Sequence, residues 1–382
     1  MNLLNNYIRY RTILAEKKEI FDLLDKVDSY ENDNFPPHCL KNVVMLLPWI
    51  YPSFGGITSA MRILVFLQQN NCKVTIAVMD ENGVKEAKAN AIKCMPEFHG
   101  EVKPVSECIK NKYDVCIATT WQSAYLAQKF SGYKVYFVQD YEPEFFETND
   151  FSLLAKETYS FGYHIISLGK WNLDKIKCNV EDVNGKFDYI DFPYSPSEYH
   201  YIPRNYLSYK DKKTIKIACY IRYNGRRIPY IREYMLSKLK NILEDKGFRI
   251  EIYFFGTNKH FKFNCGTNLG KLTRKGLFNL YNNCDFGMVA SMTNISLVPY
   301  EMLASGLPVI EFKQGSYSYF LGDDTALLVD FNYNTLYDGL CDLLDNPEKL
   351  EKMHIRALEK LENLSWDKSC NQFLNILKDV MV

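Results

Sequence analysis

The segment that decides the fold is a strand–helix–strand unit near the beginning of the chain. Residues 42–48 (NVVMLLP) are predicted as a strand, followed by a glycine-containing loop and a helix that runs through about residue 70. Residues 73–79 (KVTIAVM) are predicted as the next strand. Both strands are apolar at nearly every position, which is typical of strands that are buried on both faces. The unit therefore predicts a parallel sheet that is covered by helices on both sides.

The same alternation continues on both sides of a proline-rich segment. Before it, strands are predicted at residues 114–119, 134–139 and 163–168, and helices at residues 122–130 and 170–177. Residues 191–213 contain three prolines and no clear period, so we interpret them as a linker. After it, strands are predicted at residues 215–221, 249–255, 285–290 and 308–311, and helices at residues 229–246 and 274–283. We expect an α/β protein with two doubly wound, Rossmann-like domains facing a central cleft, where ligands of this architecture bind.

The first 35 residues are predicted to form a helix with mixed charges that ends at Pro36-Pro37. Its partly amphipathic, partly basic stripe consists of Leu3, Leu4, Tyr7, Ile8, Arg11, Leu14, Lys18 and Phe21. Such a stripe suits a membrane surface, but we expect the helix to pack on the body of the protein. Residues 1–41 are therefore interpreted as a helical extension, residues 42–200 as the first domain and residues 214–365 as the second.

Composition excludes several classes of protein. The 382 residues are 47% apolar and 24% charged, enough for two or three domains with their own cores. Equal numbers of basic and acidic residues, 46 each, argue against a dedicated nucleic-acid binder. The longest apolar stretch, residues 43–54, is interrupted by prolines and too short to span a bilayer. Charges between Arg9 and Glu19 interrupt any signal-peptide core, and eleven cysteines without a CxxC pair suit reduced thiols in a cytoplasmic protein.

The first candidate motif follows the first strand and reads Pro52-Ser53-Phe54-Gly55-Gly56-Ile57-Thr58. Paired glycines let the backbone approach a ligand closely, and the following helix offers free N–H groups to an anion. The motif is neither GxGxxG nor a Walker sequence, so nicotinamide and ATP sites are not supported. The alternative interpretation is a simple tight turn.

The second candidate motif, residues 220–227 (YIRYNGRR), closes the first strand of the second domain. Arginine binds a diphosphate through paired hydrogen bonds and keeps its charge. Residues 220–280 hold thirteen Lys and Arg against four Asp and Glu, a local excess that suits a small anionic ligand. The motif predicts a pyrophosphate site, and the alternative is a solvated basic surface.

The third candidate motif is residues 293–310 (TNISLVPYEMLASGLPVI). A polar loop leads through Pro299, predicted at the first helical position, into a short helix that carries Glu301. A carboxylate there can accept two hydrogen bonds from vicinal hydroxyls such as those of a ribose. The alternative role of Glu301 is to complement the helix dipole.

These motifs resemble the retaining family 4 glycosyltransferases, whose fold is called GT-B. The family signature is an acid, seven residues, a second acid, an Ala/Gly-rich helix end and Leu-Pro-Val; Glu301 matches the second acid, which binds the donor ribose. Arg222 and Arg227 match the family pair that binds the donor diphosphate. The stretch 136–143 (YFVQDYEP) is similar to bacterial polysaccharide rhamnosyltransferases that use dTDP-rhamnose. The resemblance runs from about residue 42 to the C-terminus.

The chain departs from the family at the first acid. Thr293 occupies that position, and Asn294, Ile295 and Ser296 replace the usual Gly-Phe-Gly. In the family this acid contacts hydroxyls of the donor sugar, so the change disfavours a glucose- or mannose-type donor. It is compatible with a deoxysugar such as rhamnose, and also with weak or lost activity.

The resemblance implies a role for each matching segment. The second domain would bind the donor, with a loop at 268–272 (NLGKL) for the base. The implied donor-binding residues are Gly270, Lys271, Leu272, Glu301, Thr293, Asn294, Leu297, Val298 and Arg226. Residues 42–200, joined by a C-terminal helix at about 366–382, would bind the acceptor through Gly55, Gly56, Gln139 and Glu142. The implied catalytic residues are Arg222, Arg227 and Asp140, and neither cofactor nor metal is expected.

The resemblance implies a retaining transferase that moves rhamnose from dTDP-β-L-rhamnose to a glycan or lipid-linked glycan, in the cytoplasm or peripherally at the inner membrane. The alternatives are a UDP- or GDP-sugar donor, a nucleotide-sugar epimerase, a two-lobed binding protein and an inactive scaffold. The six histidines show no metal-ligand spacing, and His164 is interpreted as structural. Asp140, Glu142 and Glu144 alternate and are the alternative site for a divalent ion. No GxSxG supports a hydrolase.

Overall fold

The computed structural model describes residues 3–27, 34–52, 54–181, 183–223 and 225–382. Ser53 and Asn224, which belong to the first and second motifs, lie outside the described residues, as do residues 28–33 of the predicted N-terminal helix. The chain divides into two compact units, one formed by Met1–Ile190 with Cys370–Val382 and the other by Asp191–Ser369. The division falls at the beginning of the segment predicted as a linker.

Seven described strands form one parallel sheet in the first unit. The strands are β1 (Asn42–Leu47), β2 (Lys73–Val78), β3 (Glu101–Pro104), β4 (Val115–Ala118), β5 (Tyr133–Val138), β6 (His164–Leu168) and β7 (Phe187–Ile190). The helices are α1 (Leu3–Val27), α2 (Gly55–Gln69), α3 (Val84–Cys94), α4 (Val105–Cys108), α5 (Trp121–Ala127), α6 (Asp150–Glu157) and α7 (Lys170–Asn179). The spatial order is β3-β2-β1-β4-β5-β6-β7. β4, β5 and β6 are buried at every residue, as their apolar sequences predict.

Six described strands form a second parallel sheet, in the second unit. The strands are β8 (Thr214–Tyr220), β9 (Arg249–Phe255), β10 (Thr267–Gly270), β11 (Phe286–Met288), β12 (Val309–Phe312) and β13 (Leu327–Val329). The helices that follow are α8 (Pro229–Asp245), α9 (Arg274–Asn283), α10 (Leu297–Ala304), α11 (Tyr317–Leu321), α12 (Tyr333–Asp345), α13 (Pro347–Leu361) and α14 (Trp366–Asp379). The spatial order is β10-β9-β8-β11-β12-β13, and helix α14 runs across the boundary at Ser369.

Each sheet reverses its strand order once, between β1 and β4 in the first unit and between β8 and β11 in the second. The loops that leave two such neighbouring strands diverge to opposite faces of the sheet. Ligands of doubly wound folds bind at this switch point, outside the carboxyl ends of the strands. The first motif follows β1, the second follows β8 and the third follows β11, so all three lie at switch points.

The structure corrects several predicted elements. Thr267–Gly270 is the edge strand β10, whereas residues 268–272 were predicted as a loop. Helix α10 begins at Leu297, so Pro299 is its third residue and not its first. The edge strands β3, β7 and β13 were not predicted; an edge strand has one neighbour and needs fewer apolar residues than a central one. Within the described residues α1 ends at Val27.

Two predictions about individual side chains are confirmed. All eleven cysteines lie in the described part of the chain and are free thiols, eight of them buried. His164 is buried in β6 with its Nε2 2.8 Å from Asp188 Oδ2, a structural role. Burial lowers the pKa of His164, although Asp188 opposes the shift. None of the described helices is long and apolar enough to cross a membrane.

His354 is also buried, and unlike His164 it has no polar partner among the described residues. His354 in α13 is 1% exposed and packs against the rings of Tyr201 and Tyr206, with centroids 5.6 and 5.5 Å away. Within the described residues neither of its ring nitrogens has a hydrogen-bond partner. Burial, assisted by the positive charge of Arg204, lowers the pKa of His354 to about 3. The folded protein therefore keeps this ring neutral.

This histidine predicts a loss of stability in acid. Below the unfolded pKa of about 6.5, the unfolded chain binds a proton that folded His354 rejects, which costs about 1.4 kcal/mol per pH unit. His354 should therefore contribute a fall of about 2 kcal/mol in the free energy of unfolding between pH 7 and pH 5. Urea denaturation of His354→Phe should show a shallower pH dependence by this amount. The exposed-site control His38→Phe should keep the wild-type slope; equal slopes in all three proteins would contradict the assignment.

Candidate functional site

Two loops of the second unit lie side by side at its switch point. Residues 221–228 follow β8 and residues 289–296 follow β11, and these two strands pair directly. Arg227, only 6% exposed, joins the loops: its Nη1 donates to Ala290 O at 3.0 Å and its Nη2 lies 3.5 Å from Asn294 O. A charged donor strengthens such bonds. Arg227 was predicted to bind the diphosphate, but its guanidinium is turned onto the backbone of the second loop.

A buried carboxylate holds the beginning of the same loop. Glu311 in β12 is fully buried; its Oε1 accepts from Ser291 Oγ at 2.6 Å and its Oε2 from Ser291 N at 3.2 Å. Burial raises the pKa of Glu311, while Ser291, the Phe312 N–H and the positive charge of Arg227 oppose the rise. Sequence reasoning missed this residue, and its signal was an acid inside an otherwise apolar predicted strand.

The loop after β12 contacts the loop after β11 through Ser316. Ser316 Oγ donates to Thr293 O at 2.5 Å, and Ser316 N donates to Ser291 O at 2.7 Å. Gly315 is required for this approach, because a Cβ there would lie 2.4 Å from Ser291 O. Residues 291–294 are thus held by side chains and backbone from two neighbouring loops. Ser316 is a further residue that sequence reasoning did not identify.

The predicted donor residues of the third motif occupy two environments. Thr293 and Asn294 are buried in the held loop, whereas Leu297, Val298 and Glu301 are half-buried on α10. Because α10 begins at Leu297, the backbone N–H groups of Leu297 and Val298 belong to its first turn, where helices lack internal acceptors. This helix start, at the switch point, is suited to bind an anion.

Glu301 lies beside a buried tyrosine hydroxyl. Tyr281 in α9 is fully buried, and burial raises its pKa well above 10, with the Glu301 charge adding to the rise. The phenol therefore stays protonated next to the carboxylate. The Tyr281 hydroxyl therefore adds no negative charge beside Glu301.

The remaining cations of the site are more accessible than Arg227. Arg222 and Arg226 are partly exposed, and the Arg222 guanidinium lies 6.0 Å from the centroid of the Tyr220 ring. Lys271 is exposed after β10. It follows Gly270, whose φ of +74° is accessible mainly to glycine. The Gly270 N–H donates to Asn268 Oδ1 at 2.9 Å, which fixes this turn.

The first unit brings part of the predicted acceptor set together. Gly55 and Gly56 begin α2, and the Gln139 amide packs on Gly56, where a Cβ would lie 3.2 Å from Gln139 Oε1. Asp140, 6% exposed, follows β5, and its Oδ1 accepts from Tyr141 N at 2.9 Å. Gly56 and Gln139 therefore form one small polar surface at the carboxyl ends of β1 and β5.

Glu142 is engaged in the structure of the first unit. Its Oε2 accepts from Trp121 N at 2.5 Å and from Tyr136 OH at 3.0 Å, at the beginning of α5. Burial, followed by the Glu142 charge, raises the pKa of Tyr136 well above 10, so its hydroxyl remains a donor. Glu144 pairs with Lys175 at 3.1 Å. No group of three or more His, Cys, Asp or Glu in the described ranges is placed to hold a metal ion.

Comparison with known proteins supports the fold. No family model matches the chain. Over 349 residues, 86% of this chain, the sequence is 25% identical to the O-antigen biosynthesis protein RfbC of Myxococcus xanthus, of which the chain spans about a quarter (26%). Sucrose-phosphate synthase from Thermosynechococcus elongatus is similar in structure, with a TM-score of 0.68 and 13% identity over 89% of this chain and 99% of that chain. Anabaena HepE in complex with UDP-glucose has a TM-score of 0.68 and 12% identity over 88% and 99%.

These likenesses, together with the two parallel sheets, show the GT-B fold of two Rossmann-like domains. At such low sequence identity they establish architecture alone, because one fold hosts many functions. The function must therefore be argued from the site.

The buried carboxylate predicts a stability effect that a surface acid does not share. Glu311→Gln removes the charge that accepts three hydrogen bonds and faces buried Arg227, so the free energy of unfolding should fall by about 2 kcal/mol. Glu351→Gln, on an exposed face of α13, should change it by less than about 0.5 kcal/mol. Urea denaturation measures both, and equal stability of the two variants would show that the Glu311 contacts contribute nothing.

Proposed function

We propose that the chain is a retaining glycosyltransferase that transfers rhamnose from dTDP-β-L-rhamnose to a hydroxyl of a growing bacterial surface polysaccharide. The observation that carries the proposal is the pair of loops at the switch point of the second unit, one with three arginines and one that leads into α10. The GT-B fold and the likeness to an O-antigen biosynthesis protein support a transferase of polysaccharide assembly.

We assign the diphosphate to the accessible side of these loops. Arg222 and Arg226 supply guanidinium groups, and the N–H groups of Leu297 and Val298 supply backbone donors. Arg227 acts from beneath, because its bonds to Ala290 O and its contact with Asn294 O hold the second loop in place. Arg227 thus adds positive charge at the site while positioning the backbone.

The nucleoside is assigned to two neighbouring segments. Glu301, which lies beside the protonated hydroxyl of Tyr281, accepts a hydrogen bond from the deoxyribose 3′-hydroxyl. The backbone of Gly270, Lys271 and Leu272 binds the base at the edge of the sheet. Thr293 replaces the acid that contacts sugar hydroxyls in family 4, which favours a deoxysugar in this pocket.

The arrangement suggests a reaction without a protein nucleophile. As the bond between the anomeric carbon and the phosphate oxygen breaks, negative charge grows on the dTDP leaving group and is stabilised by the arginines. The acceptor oxygen bonds the anomeric carbon on the same face, and its proton passes to the leaving phosphate. In the first unit, Gly55, Gly56 and Gln139 bind the acceptor and Asp140 orients its hydroxyl. Glu142 is left out of this set because its Oε2 already accepts two hydrogen bonds.

A UDP-sugar donor is the second candidate, favoured by the likeness to HepE in complex with UDP-glucose. A thermal-shift panel of dTDP-rhamnose, UDP-glucose and GDP-mannose distinguishes the two. A specific donor at about 100 times its Kd stabilises the protein by about 2.7 kcal/mol. A shift with UDP-glucose alone would refute the dTDP assignment, and a shift with none of the three would refute the donor site.

The two arginines should respond differently to removal. Arg222→Ala should lower turnover at saturating donor by about 10²–10³-fold, the effect of losing one charge-stabilising donor, with unchanged thermal stability. Arg227→Ala should lower turnover and also lower the melting temperature, because Ala290 O and Asn294 O lose their donor. Arg249→Ala, exposed at the opposite end of the sheet, is the matched control and should change neither. Near-normal turnover of Arg222→Ala would remove the diphosphate assignment.

Glu301 should be specific for the sugar ring of the nucleotide. Calorimetry should show wild type binding dTDP about tenfold more tightly than its 3′-deoxy analogue, because a hydroxyl bonded to a charged group contributes about 1.5 kcal/mol or more. Glu301→Gln should bind dTDP more weakly and lose most of this preference. A preference that survives the substitution would place the 3′-hydroxyl elsewhere.

A further inference from the structure

Helix α1 presents large apolar side chains to solvent. Seven of them, counting Ile8, are between 44% and 60% exposed, and the other six lie on one side of the helix. These six are Tyr7, Tyr10, Ile13, Leu14, Phe21 and Leu24. We call this set the α1 stripe. Exposed apolar groups on one continuous surface mark a binding surface more often than isolated ones do.

The spacing places these side chains on one side of the helix. At 100° per residue, the stripe covers an arc of about 120°. Lys17 lies within this arc, and Arg11 and Lys18 lie along one edge of it. Among the acids, Glu16 and Glu19 project away from the stripe, Asp22 lies next to Arg11, and Asp25 lies at the same edge of the arc as Tyr7. The apolar and the basic groups therefore share one surface.

A different face attaches α1 to the first unit. Leu23 is 4% exposed and belongs to the hydrophobic core that also contains Trp121 and Tyr125 of α5. Ile20 packs against the same core. These two residues attach the helix to the first unit, while the side chains of the α1 stripe remain about half exposed.

Charge selects the partner of the stripe. In a symmetric pair of such helices centred on the stripe, Lys17 and Lys18 of both copies would lie close together near the middle of the contact. Asp25, the acid on this side of the helix, lies about two turns away, so the pair would repel and a second copy of this chain is disfavoured. An anionic lipid surface would instead attract these lysines. The apolar side chains enter the boundary of the acyl chains, and the lysines extend to the phosphates. Lys17 Nζ already lies 5.2 Å from the Phe21 ring centroid, at the edge of the apolar set.

We propose that the α1 stripe binds the surface of a membrane that contains anionic lipids, with the helix lying in the plane of the interface. This inference is independent of the donor and acceptor assignments, since it rests on residues of α1 alone. It would place the first unit next to lipid-linked substrates.

Sedimentation of the full chain with vesicles tests the proposal. Wild type should sediment with vesicles of equal parts phosphatidylglycerol and phosphatidylcholine at low salt, and less at high salt. Leu14→Ser with Phe21→Ser should weaken this binding at least tenfold, because two buried apolar groups are lost. Lys17→Gln with Lys18→Gln should weaken it about 30-fold on anionic vesicles, at about 1 kcal/mol per cation. Ile8→Ser, equally exposed and apolar but outside the stripe, is the matched control and should bind as wild type does.

Several results would overturn the proposal. Wild type could remain in solution with both anionic and neutral vesicles, or Ile8→Ser could lose as much binding as the stripe variant. A dimer seen by analytical ultracentrifugation that only the stripe variant abolishes, with vesicle binding unchanged, would assign the stripe to a second copy. Because the substituted side chains are exposed, all variants should keep the wild-type melting temperature and the thermal shift with dTDP. These two measurements separate a failure of membrane binding from a failure of the fold or of the donor site.

Discussion

The site in the second unit depends on two buried charges that hold one loop. Arg227 donates to Ala290 O and reaches Asn294 O, while Glu311 accepts from the backbone and side chain of Ser291. The positive charge of Arg227 also opposes the rise that burial causes in the pKa of Glu311, so the two groups interact electrostatically. The loop between β11 and α10 is therefore held by Arg227 from the loop after β8 and by Glu311 from β12 before any ligand arrives.

This constraint decides which groups remain for chemistry. The carbonyls of the loop face inward to Arg227 and Ser316. The first turn of α10 follows directly, and its N–H groups at Leu297 and Val298 have no acceptor within the helix. Donors that are already oriented need no reorganisation as charge develops on a leaving group, which is the main source of electrostatic catalysis.

The sequence predicted the central strands well and the edges poorly, for one physical reason. A strand buried on both faces must be apolar throughout, and β1, β2, β4, β5 and β6 carry that pattern. β10 (TNLG) has one neighbour and a polar sequence, so it was read as part of a loop. Hydrophobic periodicity reports local burial and contains no information about pairing with an edge.

The site residues divide in the same way. The glycines of α2 and the arginines after β8 were predicted as site residues because their residue types suit ligand binding wherever they occur in a loop after a strand. Glu311 accepts hydrogen bonds from Ser291 and interacts electrostatically with Arg227. These residues lie 20 and 84 residues earlier in the chain, so no local sequence pattern predicts the contacts. For Arg227 the residue type predicted a diphosphate contact but not the hydrogen bond to Ala290 O, because residue type alone does not tell which acceptors a guanidinium reaches.

In each unit a carboxylate accepts hydrogen bonds from the backbone that follows a strand at the switch point. In the first, Glu142 follows β5 and accepts from Trp121 N, just after the neighbouring strand β4. In the second, Glu311 lies in β12 and accepts from Ser291, just after the neighbouring strand β11. Both β4 and β11 stand at a switch point, where the loops leave the sheet with backbone N–H groups that no strand satisfies. In the second unit the carboxylate lies in the neighbouring strand, and in the first it lies in the turn after that strand, so in both units a group outside the loop accepts hydrogen bonds from its backbone and helps to fix it.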